Sequence, residues 1–151
     1  MRVFYELNAL PEFRNAVLTI GSFDGVHAGH QEILRRVIRL ARQHKGESIV
    51  VTFHPHPREV VYPQDDRPLR LLTTIRERIE LLEEYGIDNV VVVPFTVEFS
   101  QQSADEYIQK FLIESFRPKF IVIGYDHRFG LNRQGDINFL VNREPASFAS
   151  K

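Results

Sequence analysis

The stretch "TIGSFDGVHAGHQEIL", Thr19 to Leu34, carries an apolar run through glycines, an aspartate and two histidines three residues apart, then into a helical pattern. The run that enters it, "AVLTIG" (Ala16 to Gly21), is short, apolar and closed by glycine, which predicts a buried strand. The run that leaves it, "QEILRRVIRLARQHKG", sets Ile33, Leu34, Val37, Ile38 and Ala41 at helical spacing, with arginines opposite and Gly46 as a stop. A strand therefore hands over to a helix across a turn that holds two imidazoles.

The same unit recurs down the chain. "SIVVTF" is rich in β-branched residues and predicts a second strand. "TIRERIELLEEYG" offers Thr74 with Glu77 three residues on, a capping box, and Gly86 as its end. "NVVVVPF" is a third strand. "SADEYIQKFLIESF" repeats the capping logic with Ser103 and Glu106 and is closed by Pro118, and "KFIVIG" (Lys119 to Gly124) is a fourth strand. Strands that are apolar throughout and alternate with helices predict a parallel sheet covered on both faces. The expected fold is α/β, doubly wound and mostly parallel, in three α/β/α layers. In such sheets ligands sit outside the carboxyl ends of the strands. Three polar, histidine-bearing segments fall there: "GSFDGVHAGH", "HPHPREV" and "GYDHRFGLNRQGD".

Composition narrows the classes. With 151 residues the chain suffices for one domain with a real core. Nineteen basic against twenty acidic residues give a net charge of −1, so no nucleic-acid or membrane surface is expected. The arginines opposite the apolar stripe, Arg35, Arg36, Arg39 and Arg42, are read as a solvated helix face. The sequence contains no cysteine, which excludes disulfides and thiolate catalysis. The opening "MRVFYELNALPEF" has no signal-peptide pattern, and no apolar run approaches the ~20 residues of a membrane span. A cytoplasmic location is the expectation.

The first loop has neither G-x-G-x-x-G nor a P-loop. It has Gly21, Gly25 and Gly29 around His27 and His30. Glycines let backbone N–H groups approach a ligand, and the helix that follows offers free donors and a positive dipole end. Two residues three apart share a face, so both imidazoles could donate to one phosphate. A plain capping or surface pair is the competing reading. In the second loop Pro55 and Pro57 stiffen the backbone, and His54 and His56 alternate, which argues against a metal site made from them alone.

His27-Ala28-Gly29-His30 resembles the H-x-G-H signature of the nucleotidyltransferase superfamily. "GSFDGVHAGHQ", "TFHPHPREV" and "GYDHRFGLNRQGD" together resemble the N-terminal FMN adenylyltransferase module of bacterial bifunctional riboflavin kinase/FAD synthetases, over roughly Val3 to Leu140. The resemblance implies a Rossmann-like nucleotidyltransferase fold and transfer of AMP from ATP to FMN, giving FAD and pyrophosphate with Mg2+. It implies that His27 and His30 hold the ATP phosphates and the charge developing at the α-phosphorus. Gly21, Ser22, Phe23 and Gly29 would shape the nucleotide loop, with Asp24 beside it ordering the loop or a metal. Asp126 matches a position near the nucleotide, with loop capping as the alternative. Pro55, Pro57, Tyr107 and Phe129 match positions that line the flavin site. Magnesium would bridge phosphates, with no protein cage expected.

The resemblance implies a module over 1–140 and an atypical tail over 141–151. The relatives' later Ser-Ser-Thr-x-x-Arg motif and riboflavin kinase barrel have no counterpart in "INFLVNREPASFASK", which reads as neither strand nor helix. Riboflavin kinase activity is not expected, and the sheet would lack its last strand, leaving an open edge that invites oligomerisation or aggregation. The rival readings are a nucleotide- or flavin-binding fragment without turnover, another H-x-G-H adenylyltransferase, and, more remotely, a hydrolase metal site built from His27, His30, His127 and Asp126.

Overall fold

The computed structural model describes residues 1–26, 28–57, 60, 73–124, 130, 135 and 149–150, with backbone alone at 28, 149 and 150. Six strands are present among them: β1 (Arg2–Phe4), β2 (Val17–Ile20), β3 (Ser48–His54), β4 (Asn89–Pro94), β5 (Phe120–Ile123) and β6 (Ala149–Ser150). They form one sheet in the order β1-β4-β3-β2-β5-β6, and every neighbouring pair is parallel. All the carboxyl ends therefore lie on one edge. Helices among the described residues include α1 (Ala28–Gln43), α2 (Ile75–Tyr85), the short α3 (Val97–Ser100), and a composite α4. The composite helix opens as Ala104–Glu106, widens to a π-helix over Tyr107–Ile113 and closes as Glu114–Phe116.

The period-two alternation of strand side chains divides the core between two faces. Leu18, Ile20, Ile49, Val51, Phe53, Val91, Val93, Ile121 and Ile123 pack with Tyr107, Ile108, Phe111, Leu112 and Phe116 of α4. On the opposite face Val50, Val90 and Val92 meet Leu34 of α1 and Leu82 of α2, and Val17 and Val122 meet Val37 and Ala41 of α1. This is the doubly wound, three-layer α/β arrangement that the apolar strands predict. Among the described residues no helix is long and apolar enough to cross a membrane.

Four local features depart from the sequence reading. β1 went unread because three residues carry almost no periodicity; its register, Arg2↔Asn89 to Phe4↔Val91, makes it an edge strand. The tail reads as neither strand nor helix in sequence, yet Val122↔Ala149 and Ile123↔Ser150 pair in parallel, so β5 is not an open edge there. Backbone pairing over two residues needs no apolar pattern. Gly46 follows α1 as expected, but Lys45 takes the left-handed turn (φ 53°). Gly46 is needed for contact instead: a Cβ there would lie 2.1 Å from the Asn15 carbonyl oxygen. In α4 the Ser103–Glu106 capping box forms, but the helix then widens. The wider turn narrows the arc spanned by Tyr107, Ile108, Phe111 and Leu112, all four of which are buried.

Candidate functional site

The sheet order reverses at β2: the chain leaves β2 through α1 for β3 on one side, and β5 lies on the other. Such a switch point opens a crevice at the carboxyl edge, because the connections on its two sides run to opposite faces. The residues that follow β2 enter that crevice. Gly21 is held there by its amide, which donates to the Val51 carbonyl at 3.0 Å. A Cβ at Gly21 would stand 3.1 Å from the Phe23 ring. The loop then makes a tight turn over Asp24–Val26, with Phe23 (φ 51°), Gly25 (φ 74°) and Val26 (φ 44°) all left-handed. Only glycine adopts that region cheaply, so the two side-chain-bearing positions must be held by their surroundings.

Several contacts hold them. Phe23 is buried, and its ring meets that of His30 in the first turn of α1, centroids 4.8 Å apart and tilted 49°. Asp24 accepts from both the backbone N–H and the hydroxyl of Thr73, each at 2.8 Å to Oδ1. The Gly25 amide donates back to the Thr73 hydroxyl at 3.2 Å. Ser22 accepts through its carbonyl from the Thr52 hydroxyl at 3.1 Å, and Thr52 in turn accepts from the Arg78 guanidinium at 3.1 Å. The loop is thus fastened to β3 and to the start of α2. Thr52, Thr73 and Arg78 were all missed from sequence. One signal was present: Arg78 occupies the apolar stripe of α2, with Ile75, Ile79 and Leu82. Burial lowers the Arg78 pKa from its ordinary value, and the Asp24 charge opposes that shift.

His30 is therefore half-buried at the amino end of a 16-residue helix, directly behind this loop. Gly29 is exposed in the same turn. The first-turn N–H groups of α1 have no intrahelical acceptors and, with the helix dipole, favour an anion in front of them. Gly21, Ser22, Phe23, Asp24, Gly29 and His30 are brought together as one loop and one helix start. His27, Asp126, His127 and Phe129 lie outside the described residues.

The second loop reaches the same edge. Pro55 follows β3 through a cis peptide bond after His54, and Pro55 and Pro57 are half-buried. The Phe95 amide donates to the His54 carbonyl at 3.3 Å, which ties the ends of β3 and β4. Under them lies an aromatic cluster. Phe99 meets Phe53, Phe95, Tyr107 and Phe111 at centroid distances of 5.7, 5.4, 5.9 and 4.9 Å. Tyr107 is buried within it, and that burial drives its hydroxyl pKa well above the usual range. Gly130, beyond β5, sits against the start of α4: a Cβ there would lie 2.9 Å from the Ala104 nitrogen, and its φ is +80°. Gly130 thus lies beside the first turn of α4, one turn before Tyr107.

Comparison with known proteins adds to this geometry. A family model described as FAD synthetase matches residues 10–149. The bifunctional riboflavin kinase/FMN adenylyltransferase of Buchnera aphidicola subsp. Acyrthosiphon pisum is 38% identical over 141 residues, covering 93% of this chain and 44% of that protein. A putative bifunctional riboflavin kinase/FMN adenylyltransferase of Geobacillus thermodenitrificans is 33% identical over 141 residues, covering 93% of this chain and 75% of that protein. The chain spans less than half the length of the Buchnera relative. A crystal structure described as a macrolide-efflux protein from Streptococcus pneumoniae superposes with a TM-score of 0.83 at 23% identity, over 99% of this chain and 50% of that one. That likeness concerns the fold alone.

Proposed function

Because the chain belongs to the FAD synthetase family, we propose that it carries out FMN adenylyl transfer, joining AMP from ATP to FMN. The observation that carries this reading is the position of the Gly21–His30 stretch at the switch point of a sheet whose family match runs from 10 to 149. A phosphate oxygen of FMN attacks the α-phosphorus of ATP. The bond from that phosphorus to the bridging oxygen breaks, and pyrophosphate leaves. No side chain need act as nucleophile, so catalysis comes from alignment and charge stabilisation. His30, with His27 as its proposed companion, donates N–H bonds to the phosphates, and the first turn of α1 adds backbone donors. Gly21, Ser22, Phe23, Asp24 and Gly29 form the nucleotide loop, and Asp126 is assigned near the nucleotide. Magnesium supplied with ATP would neutralise phosphate charge; Asp24 Oδ1 is already engaged by Thr73, which suits a loop staple better than a metal ligand. Pro55, Pro57 and Phe129 are assigned to the flavin ring. Tyr107 contributes from below, by supporting the aromatic cluster. A cytoplasmic location belongs to the same proposal.

The test is titration with a non-hydrolysable ATP analogue and with FMN, followed by an assay of FAD formation with magnesium. Both ligands should bind and FAD should form. His30→Ala should lower kcat by about 100-fold or more, the size of effect seen when one donor to a developing oxyanion is removed. Binding of both ligands with no product would favour a binding role. Product from pantetheine phosphate or nicotinamide mononucleotide in place of FMN would assign another adenylyltransferase.

A further inference from the structure

Arg78 has no packing reason to be an arginine. It is 3% exposed, and α2 buries only it and Leu82. Its Nη1 donates to the Thr52 hydroxyl, while its Nε is buried and has no acceptor among the described residues. A buried cation with so few partners is costly, and a hydrocarbon side chain of similar size fills such a place without that cost. The Arg78 charge is therefore explained by what it holds. Thr52 accepts from the guanidinium and donates its own proton to the Ser22 carbonyl at 3.1 Å. A hydroxyl that accepts from a cation is a stronger donor, so the two bonds reinforce each other. Ser22 immediately precedes the left-handed Phe23, and the second fastening of the same loop, Asp24 to Thr73, ends one residue before the α2 cap. Both fastenings thus lead to α2.

We propose that Arg78 is a positioning residue: through Thr52 it fixes the Ser22 carbonyl and keeps the Gly21–Val26 loop in its strained, ligand-ready shape. The proposal rests on the reading of that loop as the nucleotide site. Its consequence is selective, since the relay of Arg78, Thr52 and Ser22 touches the first loop and not Pro55 or Pro57, which are assigned to the flavin ring. Thr52→Val removes the relay while keeping the side-chain shape, and Arg78→Met removes the cation. Arg78→Lys keeps the charge and one donor.

Hydrogen exchange on the full chain without ligand reads the loop directly. In Thr52→Val and Arg78→Met the amides of 21–26 should lose protection by about tenfold or more, with β3 and β4 unchanged. Arg78→Lys should restore much of it. The Kd for the ATP analogue should rise about tenfold in the first two variants, with the Kd for FMN unchanged. Unchanged exchange in the loop of either variant overturns the proposal. So does loss of protection across the whole sheet, or an equal loss of both ligands, because Arg78 would then be an ordinary structural residue. A parent protein that takes up neither ligand counts against the functional reading alone, and the exchange result still decides this one.

Discussion

Asp24→Asn isolates charge from shape in the first loop. Asp24 Oδ1 accepts two bonds of 2.8 Å, from the N–H and the hydroxyl of Thr73. Asparagine keeps an oxygen at that place, so both contacts can persist as neutral ones. A hydrogen bond to a charged group contributes ~1.5–3 kcal/mol against ~0.5–1.5 for a neutral one, so the substitution forfeits about 2–3 kcal/mol over the pair. Asp24 is half-buried, and solvent screening moves the figure toward about 2 kcal/mol. The same change removes the charge that opposes the desolvation of Arg78, which pushes the cost back up. For a chain of this size each kcal/mol shifts Tm by roughly 2–4 °C, so Asp24→Asn should melt at least about 4–8 °C below the parent. Scanning calorimetry at neutral pH measures it. The double variant Asp24→Asn/Arg78→Met should be more stable than Asp24→Asn alone, because a buried cation is then no longer left without its opposing charge. An Asp24→Asn protein that melts within about 1 °C of the parent would refute the reasoning, as would a double variant less stable than the single one.

Two further outcomes follow from local geometry at Gly46 and at the cap of α2. Gly46→Ala places a Cβ 2.1 Å from the Asn15 carbonyl oxygen, so the backbone must move, at a cost of about 1–3 kcal/mol or more. Urea unfolding should show the fall, while the folded protein keeps its affinity for the ATP analogue. The third outcome concerns pH. The Glu77 carboxyl is held below the ordinary 4.5, first by the Thr74 backbone N–H and then by the Thr74 hydroxyl. Its folded pKa is depressed, so its contribution to stability is complete above the unfolded value and is lost as pH falls through the lower, folded value. The stability difference between parent and Glu77→Gln, measured by urea unfolding, should therefore be constant near neutrality and shrink in acid; a difference independent of pH would contradict the capping geometry.

Periodicity and punctuation made most of the architecture legible before any coordinates. Uninterrupted apolar strands such as "NVVVVPF" announce burial on both faces, and the helix caps at Thr74, Ser103 and Gly86 form as the residue types require. What stayed hidden was short or depended on distant partners. β1 has three residues and β6 two, too few to display alternation, and both are edge strands fixed by pairing. The site divides in the same way. Gly21 to Asp24, Gly29 and His30 fall within ten consecutive residues, so the strand-to-helix turn exposes them to inspection. Thr52, Thr73 and Arg78 stand 30, 49 and 26 residues from the groups they engage, at Ser22, Asp24 and Thr52. Threonine in a β-rich run and threonine before a helix are ordinary, so neither draws notice. Arg78 is different, because a cation among Ile75, Ile79 and Leu82 breaks the amphipathic rule that the rest of α2 obeys. Such a violation persists only where something outside the helix compensates for it. Here the compensating groups are Thr52 on β3, which holds the Ser22 carbonyl, and the Asp24 charge in the loop after β2, which makes a misplaced charge in one helix a pointer to the site assembled beside it.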